Sequence, residues 1–247
     1  MSLASAWQSA GVTDMGLRRQ HNEDAFLDSP DSQLWAVADG MGGHDRGELA
    51  SAMVCEALGR IRGDSLLDVV DAADDAISSV NTQLLDIASE LATEKGGTGL
   101  IGCTVVALIA REPLAVCLWA GDSRIYRLRG RVLEQVTEDH SLAAESASAS
   151  SDSPPVSRNV ITRAVGASAE LVLDVESLDL QSGDRFLLCS DGLTNELSDE
   201  YLRQALSNDS ASAVVARQLV DAANHAGGRD NVSALVVDYR DSNDLSV

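Results

Sequence analysis

VADGMGGHDRGELAS, residues 37–51, connects a buried-strand pattern to a helical pattern and decides where the fold presents its acidic groups. The residues Leu34 to Ala38 are a short, continuously apolar run, which is typical of a buried strand. The run ends at Asp39, and three of the next four residues are glycine, so the backbone beside this carboxylate carries few side chains. One interpretation is a strand-to-helix turn with a capping aspartate. The other is that a charged group lies against Asp39 and the bare backbone.

The same pattern of an aspartate beside an apolar strand and a small turn recurs along the chain. It comprises Asp39 in VADG, Asp122 in WAGDSR, Asp191 in LLCSDG and Asp230 in GGRDN. A single aspartate of this kind is most often a turn former or a helix cap. Several carboxylates gathered at one end of a sheet, however, cannot all ionise in a dry cluster without cations. Because Mg²⁺ and Mn²⁺ prefer oxygen ligands, the recurrence predicts a site for hard divalent cations.

Composition limits the class of protein. The 247 residues are 45% hydrophobic, which predicts a single globular domain over residues 1–247. The net charge of −21 repels phosphate backbones and argues against nucleic-acid binding. We find neither a membrane span nor a signal peptide and therefore expect a cytoplasmic protein. The four cysteines lie singly in apolar surroundings, which indicates reduced core residues.

The order of the predicted elements favours antiparallel sheets packed between helices. Helical patterns cover residues 46–61, 65–92 and 210–228, whereas apolar strand patterns occupy residues 33–40, 103–110, 114–121, 124–130, 170–180, 184–192 and 231–240. Strands and helices do not alternate regularly, so a doubly wound parallel sheet is disfavoured. The Ser-, Ala- and Pro-rich segment near residues 142–158 is predicted to be a short loop within the domain.

Eight motifs in order resemble the metal-dependent Ser/Thr protein phosphatases (type 2C, the PPM family), and in particular the bacterial stand-alone catalytic domains. They are TDMGLRRQHNEDAF, VADGMGGHDRGELAS, GCTVVALI, WAGDSRIYRL, VTEDHS, NVITRAVG, LLCSDGLTNEL and GGRDNVSALVV. The resemblance covers about residues 13–237, which is nearly the whole chain. It implies an α+β fold, with a central antiparallel β-sandwich flanked by helices on both sides.

The resemblance also implies a site that holds two Mn²⁺ or Mg²⁺ ions, or three when a third ion is bound more weakly, and it implies a role for particular residues in that site. Asp39 matches the bridging metal ligand and Gly40 a backbone-carbonyl ligand. The other matches are Asp191 and Asp230 as ligands of the second metal, Asp122 with Asp191 as ligands of the third, Glu23 and Asp24 as holders of metal-bound water, Asn231 as a neighbour of the ligands, and Arg19 as the group that grips the substrate phosphate.

The implied reaction is hydrolysis of phosphoserine or phosphothreonine in proteins by a water that two metal ions activate. The implied partners are phosphorylated proteins and a bacterial Ser/Thr kinase whose action is reversed, and the chain is expected to be a monomer. Two alternatives remain open at this point: a catalytically silent binding member of the fold, and a regulatory phosphatase tuned to one phosphoserine in a partner-switching system.

Two features depart from the family pattern. The flap between VTEDHS and NVITRAVG is short and rich in Ser, Ala and Pro. Met41 stands where some relatives carry a histidine proposed as the general acid, and His44 is the nearest candidate by sequence. We expect a turn role for His44 and predict that metal-held water delivers the proton to the leaving group.

Overall fold

The computed structural model of the chain describes residues 7–42, 46–95, 100–142, 144 and 160–241. His44 and nearly all of the predicted flap lie outside these residues, so the interpretations of both stay predictions. The strands are β1 Trp7–Asp14, β2 Asp24–Ser29, β3 Leu34–Met41, β4 Gly102–Cys103, β5 Val105–Arg111, β6 Leu114–Ala120, β7 Arg124–Arg129, β8 Val132–Gln135, β9 Asp174–Asp179, β10 Arg185–Cys189 and β11 Val232–Tyr239. The helices are α1 Arg46–Gly59, α2 Leu66–Lys95, α3 Asp191–Thr194, α4 Asp199–Leu206 and α5 Ser212–Ala226.

The strands form two antiparallel sheets, as the sequence predicts. One sheet has the strand order β1-β11-β10-β7-β8, and the other has the order β2-β3-β5-β6-β9 with β4 paired to β3. Each pairing within the two sheets is antiparallel. The chain crosses from the second sheet to the first between β6 and β7, at residues 121–123.

The alternation of side chains along β3 shows why the sheets form a four-layer structure. Trp35 and Val37 belong to the core between the two sheets, whereas Leu34, Ala36 and Ala38 belong to the core that α1 and α2 cover. Successive residues of a strand point to opposite faces, so a run without polar residues is what a strand buried on both faces requires. A third core lies between the first sheet and helices α3 to α5. The predicted β-sandwich with helices on both sides is confirmed.

Two further predictions can be compared with the structure. Cys55, Cys103, Cys117 and Cys189 are all buried free thiols, as their apolar surroundings indicate. Within the described part of the chain, no helix has both the length and the apolar character needed to cross a membrane. The three cores described above are stacked layers of one architecture, and the single domain over residues 1–247 stays a prediction.

Candidate metal centre

Antiparallel pairing brings the predicted acidic residues to one end of the sandwich. Asp24 begins β2 directly opposite Asp39 near the end of β3. Asp191 follows the end of β10, and Asp230 precedes the start of β11, which is the neighbouring strand. Asp122 follows β6, whose last residue lies opposite the first residue of β5. Five carboxylates that are distant in sequence therefore meet where the two sheets end.

Asp24 is a buried carboxylate that joins the two sheets. Its Oδ2 accepts hydrogen bonds from the hydroxyl groups of Ser190, directly after β10, at 2.8 Å and of Ser233, in β11, at 2.7 Å, and both strands belong to the opposite sheet. Its Oδ1 is buried and has no hydrogen-bond partner among the described residues. Burial raises the pKa of Asp24 to about 7, against the lowering effect of the two serines. A buried carboxylate oxygen without a partner is costly, and it fits a site that holds water or a cation.

Asp39 is half-buried and lies at the centre of the cluster. Burial raises its pKa well above the ordinary value, and the negative charges of Asp24 and Asp191 raise it further. The backbone of Asp39 is held on both sides by Thr104, whose N–H donates to the Asp39 carbonyl at 2.8 Å and whose Oγ1 accepts from the Asp39 N–H at 3.1 Å. The backbone that carries the carboxylate is therefore fixed, and the surroundings of the carboxylate oppose its negative charge.

Asp191 and Asp122 show the same electrostatic pattern. The pKa of Asp191 is raised by burial and then by Asp230, against the lowering effect of hydrogen bonds from Asn195 and Asp39. Burial, followed by the charge of Asp191, raises the pKa of Asp122 to about 7. The charge of Asp230 thus makes ionisation of Asp191 harder, and the charge of Asp191 does the same to Asp122, which is the situation that a divalent cation relieves.

Arg19 lies at the solvent side of this cluster. Its Nη2 donates to Asp230 Oδ2 at 2.6 Å, although the two residues are 211 positions apart in sequence. The Arg19 side chain is 49% exposed and that of Asp230 is 33% exposed. The hydrogen bond to Asp230 raises the pKa of the guanidinium, with smaller contributions from the charges of Asp39 and Glu23. Arg19 is therefore a cation at the rim of the site, partly open to a ligand from solvent.

Glycines permit the close backbone approach on which the site depends. A Cβ at Gly40 would overlap the carbonyl oxygen of Gly47, at the start of α1, and one at Gly47 would lie 2.7 Å from Glu23 Oε1. A Cβ at Gly192 would overlap the carbonyl oxygen of Asn231. The bare backbone at Gly40, beside Asp39, therefore admits helix α1, and Gly47 admits the Glu23 carboxylate. Gly47 lies in the motif VADGMGGHDRGELAS, which is the only sequence signal for its role. The motif alone does not predict its contact with Gly40 and Glu23.

Asn231 is buried and holds the loop that carries Arg19 and Glu23. Its side-chain oxygen accepts from the Glu23 N–H at 2.8 Å, and its amide donates to the carbonyls of Met15 and His21, each at 2.9 Å. All three bonds go to backbone groups of the segment after β1. Asn231 thus fixes the backbone of the segment that carries Arg19 and Glu23. This contact gives a physical basis for its predicted position next to the metal ligands.

The donor set fits divalent cations of the Mg²⁺ and Mn²⁺ type. The carboxylates, the backbone carbonyl of Gly40 and the orphaned oxygen of Asp24 are hard oxygen donors. No group of three or more His, Cys, Asp or Glu side chains within the described ranges is already spaced around one metal position. Asp230 is instead turned toward Arg19. The chemistry of the donors therefore fits the metals, whereas binding requires side-chain adjustment.

Sequence reasoning did not single out the hydroxyl groups that connect the ligands. Ser190 and Ser233 hold Asp24, and Thr104, which bonds to the backbone of Asp39, shares a hydrogen bond with Ser123, the residue after Asp122. Ser190, Ser233 and Ser123 lie within the motifs LLCSDGLTNEL, GGRDNVSALVV and WAGDSRIYRL, and Thr104 lies within GCTVVALI. Their position inside these motifs is the available signal, because a serine or threonine in isolation is most often a surface residue.

A polar cavity of about 530 Å³ adjoins the Asp122 side of the cluster. Its lining includes the ion pairs Arg124–Asp139, at 2.7 Å, and Arg163–Asp174. His140 lies in its wall and accepts a hydrogen bond from the N–H of Gly121, next to Asp122. The turn before Asp122 is thus hydrogen-bonded to the wall of a polar recess.

Comparisons with known proteins agree with this geometry. The family model described as "Protein phosphatase 2C" matches residues 17–231. "Protein phosphatase PhpP" of Streptococcus pneumoniae is 33% identical over 238 residues, which cover 92% of this chain and 95% of that protein.

Two solved structures have the same fold. The structure titled "PppA, a key regulatory component of T6SS in Pseudomonas aeruginosa" is 43% identical, with a TM-score of 0.86 over 94% of this chain and 97% of that one. The catalytic domain of the Ser/Thr phosphatase PstP, in complex with two manganese ions, is 33% identical, with a TM-score of 0.82 over 95% of this chain and 99% of that one. Both the fold and the eight ordered motifs therefore lead to one assignment: the chain belongs to the protein phosphatase 2C family of metal-dependent serine/threonine phosphatases.

Proposed function

We propose that this protein removes phosphate from phosphoserine and phosphothreonine in proteins, and that its cofactors are Mn²⁺ or Mg²⁺ ions held at the end of the sandwich. The observation that carries the proposal is the convergence of carboxylates whose pKa values are raised by burial and by neighbouring negative charge, beside an exposed arginine. The proposed ligands are Asp39, the carbonyl of Gly40, Asp191 and Asp230, with Asp122 and Asp191 at a third, weaker position.

Metal ions at such a site supply hydroxide at neutral pH by lowering the pKa of water. The protein's own residues have three tasks. Glu23 and Asp24 accept hydrogen bonds from water at the site, a task that fits the unpartnered buried oxygen of Asp24. Arg19 presents its guanidinium to the phosphate oxygens and offsets negative charge as the transition state develops. Asp230 would hold a metal ion in place of its present ion pair with Arg19, and Arg19 would then be available to the phosphate.

The substrate and partners follow from the family and from charge. Phosphoproteins are the substrates, and we propose that a Ser/Thr kinase of the same cell supplies them. The net charge of −21 opposes binding to nucleic acid. We further propose a monomer that acts in the cytoplasm. The alternatives are a silent member of the fold and a phosphatase dedicated to one phosphoserine. The presence of all the proposed carboxylate ligands favours an active enzyme.

The test is phosphate release from otherwise identical phosphothreonine and phosphoserine peptides in Mn²⁺, in Mg²⁺ and in EDTA. We expect turnover with either metal and none in EDTA. Asp39→Ala is expected to lose nearly all turnover, because it removes a ligand from a site that requires both metals. Asp209→Asn is the matched control, since Asp209 is exposed at the opposite end of the sandwich, next to carbonyls that bind Arg185. Full activity in EDTA would exclude the metal mechanism, and full activity of Asp39→Ala would remove Asp39 from the site.

A further inference from the structure

Two buried hydroxyl groups lie between the predicted dinuclear ligands and the predicted ligand of the third metal. Thr104 Oγ1 and Ser123 Oγ are 2.7 Å apart and share one hydrogen bond. Both side chains are almost fully buried, with 1% exposure each. Thr104 lies between β4 and β5, whereas Ser123 directly follows Asp122 and precedes β7. The pair therefore connects the chain beside Asp39 to the segment that crosses from one sheet to the other.

Thr104 holds both of the segments that it touches. It forms two hydrogen bonds with the backbone of Asp39, at 2.8 and 3.1 Å. Its methyl group packs against Gly121, where an added Cβ would lie 2.6 Å from Thr104 Cγ2. Gly121 has a φ of 118°, a conformation that favours glycine, so the turn before Asp122 is shaped around this threonine. The Thr104 side chain thus contacts both Asp39 and Gly121, the residue before Asp122.

We infer that Thr104 and Ser123 form a hydroxyl bridge that fixes the position of Asp122 relative to Asp39 and so couples the third metal position to the dinuclear pair. The inference rests on the function and ligands proposed above. Neither hydroxyl belongs to the ligand set proposed above, and each is engaged with the other. Both are positioning residues: Thr104 holds the backbone of Asp39, and Ser123 ties the segment that carries Asp122 to Thr104.

The bridge is effective because it is buried and geometrically demanding. The crossover between β6 and β7 belongs fully to neither sheet, so the ladder of either sheet alone does not determine where Asp122 lies. A hydrogen bond between two buried hydroxyls adds a constraint with a narrow range of distance and angle. Outer partners of this kind typically change metal affinity by 10- to 100-fold when they are removed.

The experiment uses three variants of the full chain that separate the two contacts of Thr104. Ser123→Ala removes the link to the Asp122 segment and leaves the bonds between Thr104 and Asp39. Thr104→Val removes the hydroxyl and keeps the branched shape that packs on Gly121. Thr104→Ser keeps the hydroxyl and removes the methyl group. Ser212→Ala is the matched control, because Ser212 is a buried hydroxyl bonded to Asp238 at the far end of the sandwich.

The measurements are the number and affinity of Mn²⁺ sites by isothermal titration calorimetry, together with Tm and with kcat and KM for p-nitrophenyl phosphate. We expect Ser123→Ala to weaken the lowest-affinity Mn²⁺ site about tenfold and to leave the tighter sites within about twofold. Thr104→Val should weaken both classes of site, because Asp39 also loses a partner. Thr104→Ser should bind Mn²⁺ with an affinity within about threefold of the parent protein's, even if its Tm is lower. Ser212→Ala should change Tm without changing the Mn²⁺ affinity.

Several results would overturn the bridge. Unchanged Mn²⁺ affinities in Ser123→Ala and Thr104→Val would do so, as would a loss of affinity in Ser212→Ala equal to theirs. A parent protein that binds two ions and no third would also exclude the coupling, while the loss of turnover in Asp39→Ala would still support the proposed function. If Thr104→Val does not fold, Ser123→Ala decides the matter alone.

Discussion

Asp230 and Arg19 show how a residue takes its role from partners remote in sequence. Their 2.6 Å ion pair places a guanidinium between the carboxylate cluster and solvent. Exposed ion pairs contribute little to stability, because water screens them and the side chains lose entropy. An exposed arginine beside several half-buried carboxylates is therefore better explained by ligand binding than by stability, and this motivates the first prediction.

Arg19→Ala is expected to raise KM for phosphopeptides more than it lowers kcat. A charge-assisted contact is worth about 1.5–3 kcal/mol, which corresponds to a roughly ten- to hundredfold loss in kcat/KM. Steady-state kinetics on a phosphothreonine peptide measure the effect. Arg18→Ala is the control, since Arg18 is the adjacent exposed arginine. Equal kinetic constants for the two variants would reduce Arg19 to an ordinary surface residue.

At the scale of elements, the site depends on close contact between the backbone at strand ends and the backbone at helix starts. The contact is so close that a side chain on either backbone would not fit. Helix α3 begins at Asp191, and its second residue, Gly192, lies against the carbonyl of Asn231 in the segment before β11. The same closeness recurs between Gly40 on β3 and Gly47 on α1. The elements thus position the ligands by backbone contact, which leaves no space for a Cβ.

Gly192→Ala tests this element-scale packing. The added methyl must push the start of α3 away from Asn231, so we expect a loss of about 1–3 kcal/mol in the free energy of unfolding. We also expect weaker Mn²⁺ binding, because Asp191 and Asp230 move apart. Urea denaturation and Mn²⁺ titration measure the two effects. Gly59→Ala at the end of α1 is the control, since its Cβ would meet only Leu27 Cδ1, at 3.3 Å. Parental stability and metal affinity in Gly192→Ala would refute the packing argument.

At the scale of the whole molecule, the acidic cluster joins the two sheets and opposes its own ionisation. Asp24 links the sheets through Ser190 and Ser233, and its raised pKa lies near neutrality. Folding without metal therefore favours protonated carboxyls at this end of the sandwich. Metal binding favours the ionised forms, so protons and metal ions compete for the same groups.

The metal-free protein is expected to lose stability as pH rises from about 4 to about 7. In this window Asp24 and Asp122, with folded pKa values of about 7, hold protons that the unfolded chain has released above about 3.9. The native state therefore binds more protons, and the free energy of unfolding falls with pH. Urea denaturation in EDTA at pH 5 and pH 8 measures the change, and Mn²⁺ should stabilise the protein more at pH 8.

Asp24→Asn is the control for this pH dependence, because an amide keeps the shape of the carboxyl group and cannot ionise. It should flatten the decline in stability between pH 5 and pH 8, leaving the part that Asp122 contributes. A metal-free parent protein that is equally stable at both pH values would show that these carboxyls ionise without cost.

The family and most of the fold could be predicted from the sequence because their signals are local. The uninterrupted apolar run of β3, the helical periodicity of α2 and the turns at strand ends each depend on neighbours in the chain. Strand β1 was not predicted, because WQSAGVTD mixes polar residues and glycine and is half-buried over most of its length. Helix α4 was missed as well, since it is short and has only two buried residues, Leu202 and Leu206.

The sequence by itself therefore determined the strand and helix patterns, the recurring aspartates and the resemblance to a phosphatase family. The tertiary structure alone decided which groups meet: Arg19 with Asp230, Asp24 with Ser190 and Ser233, and Thr104 with Ser123. It also decided the direction of each pKa shift, because burial and neighbouring charge depend on groups brought together from distant parts of the chain. Local periodicity carries no information about such contacts, since the pairing of the sheets and their packing create them.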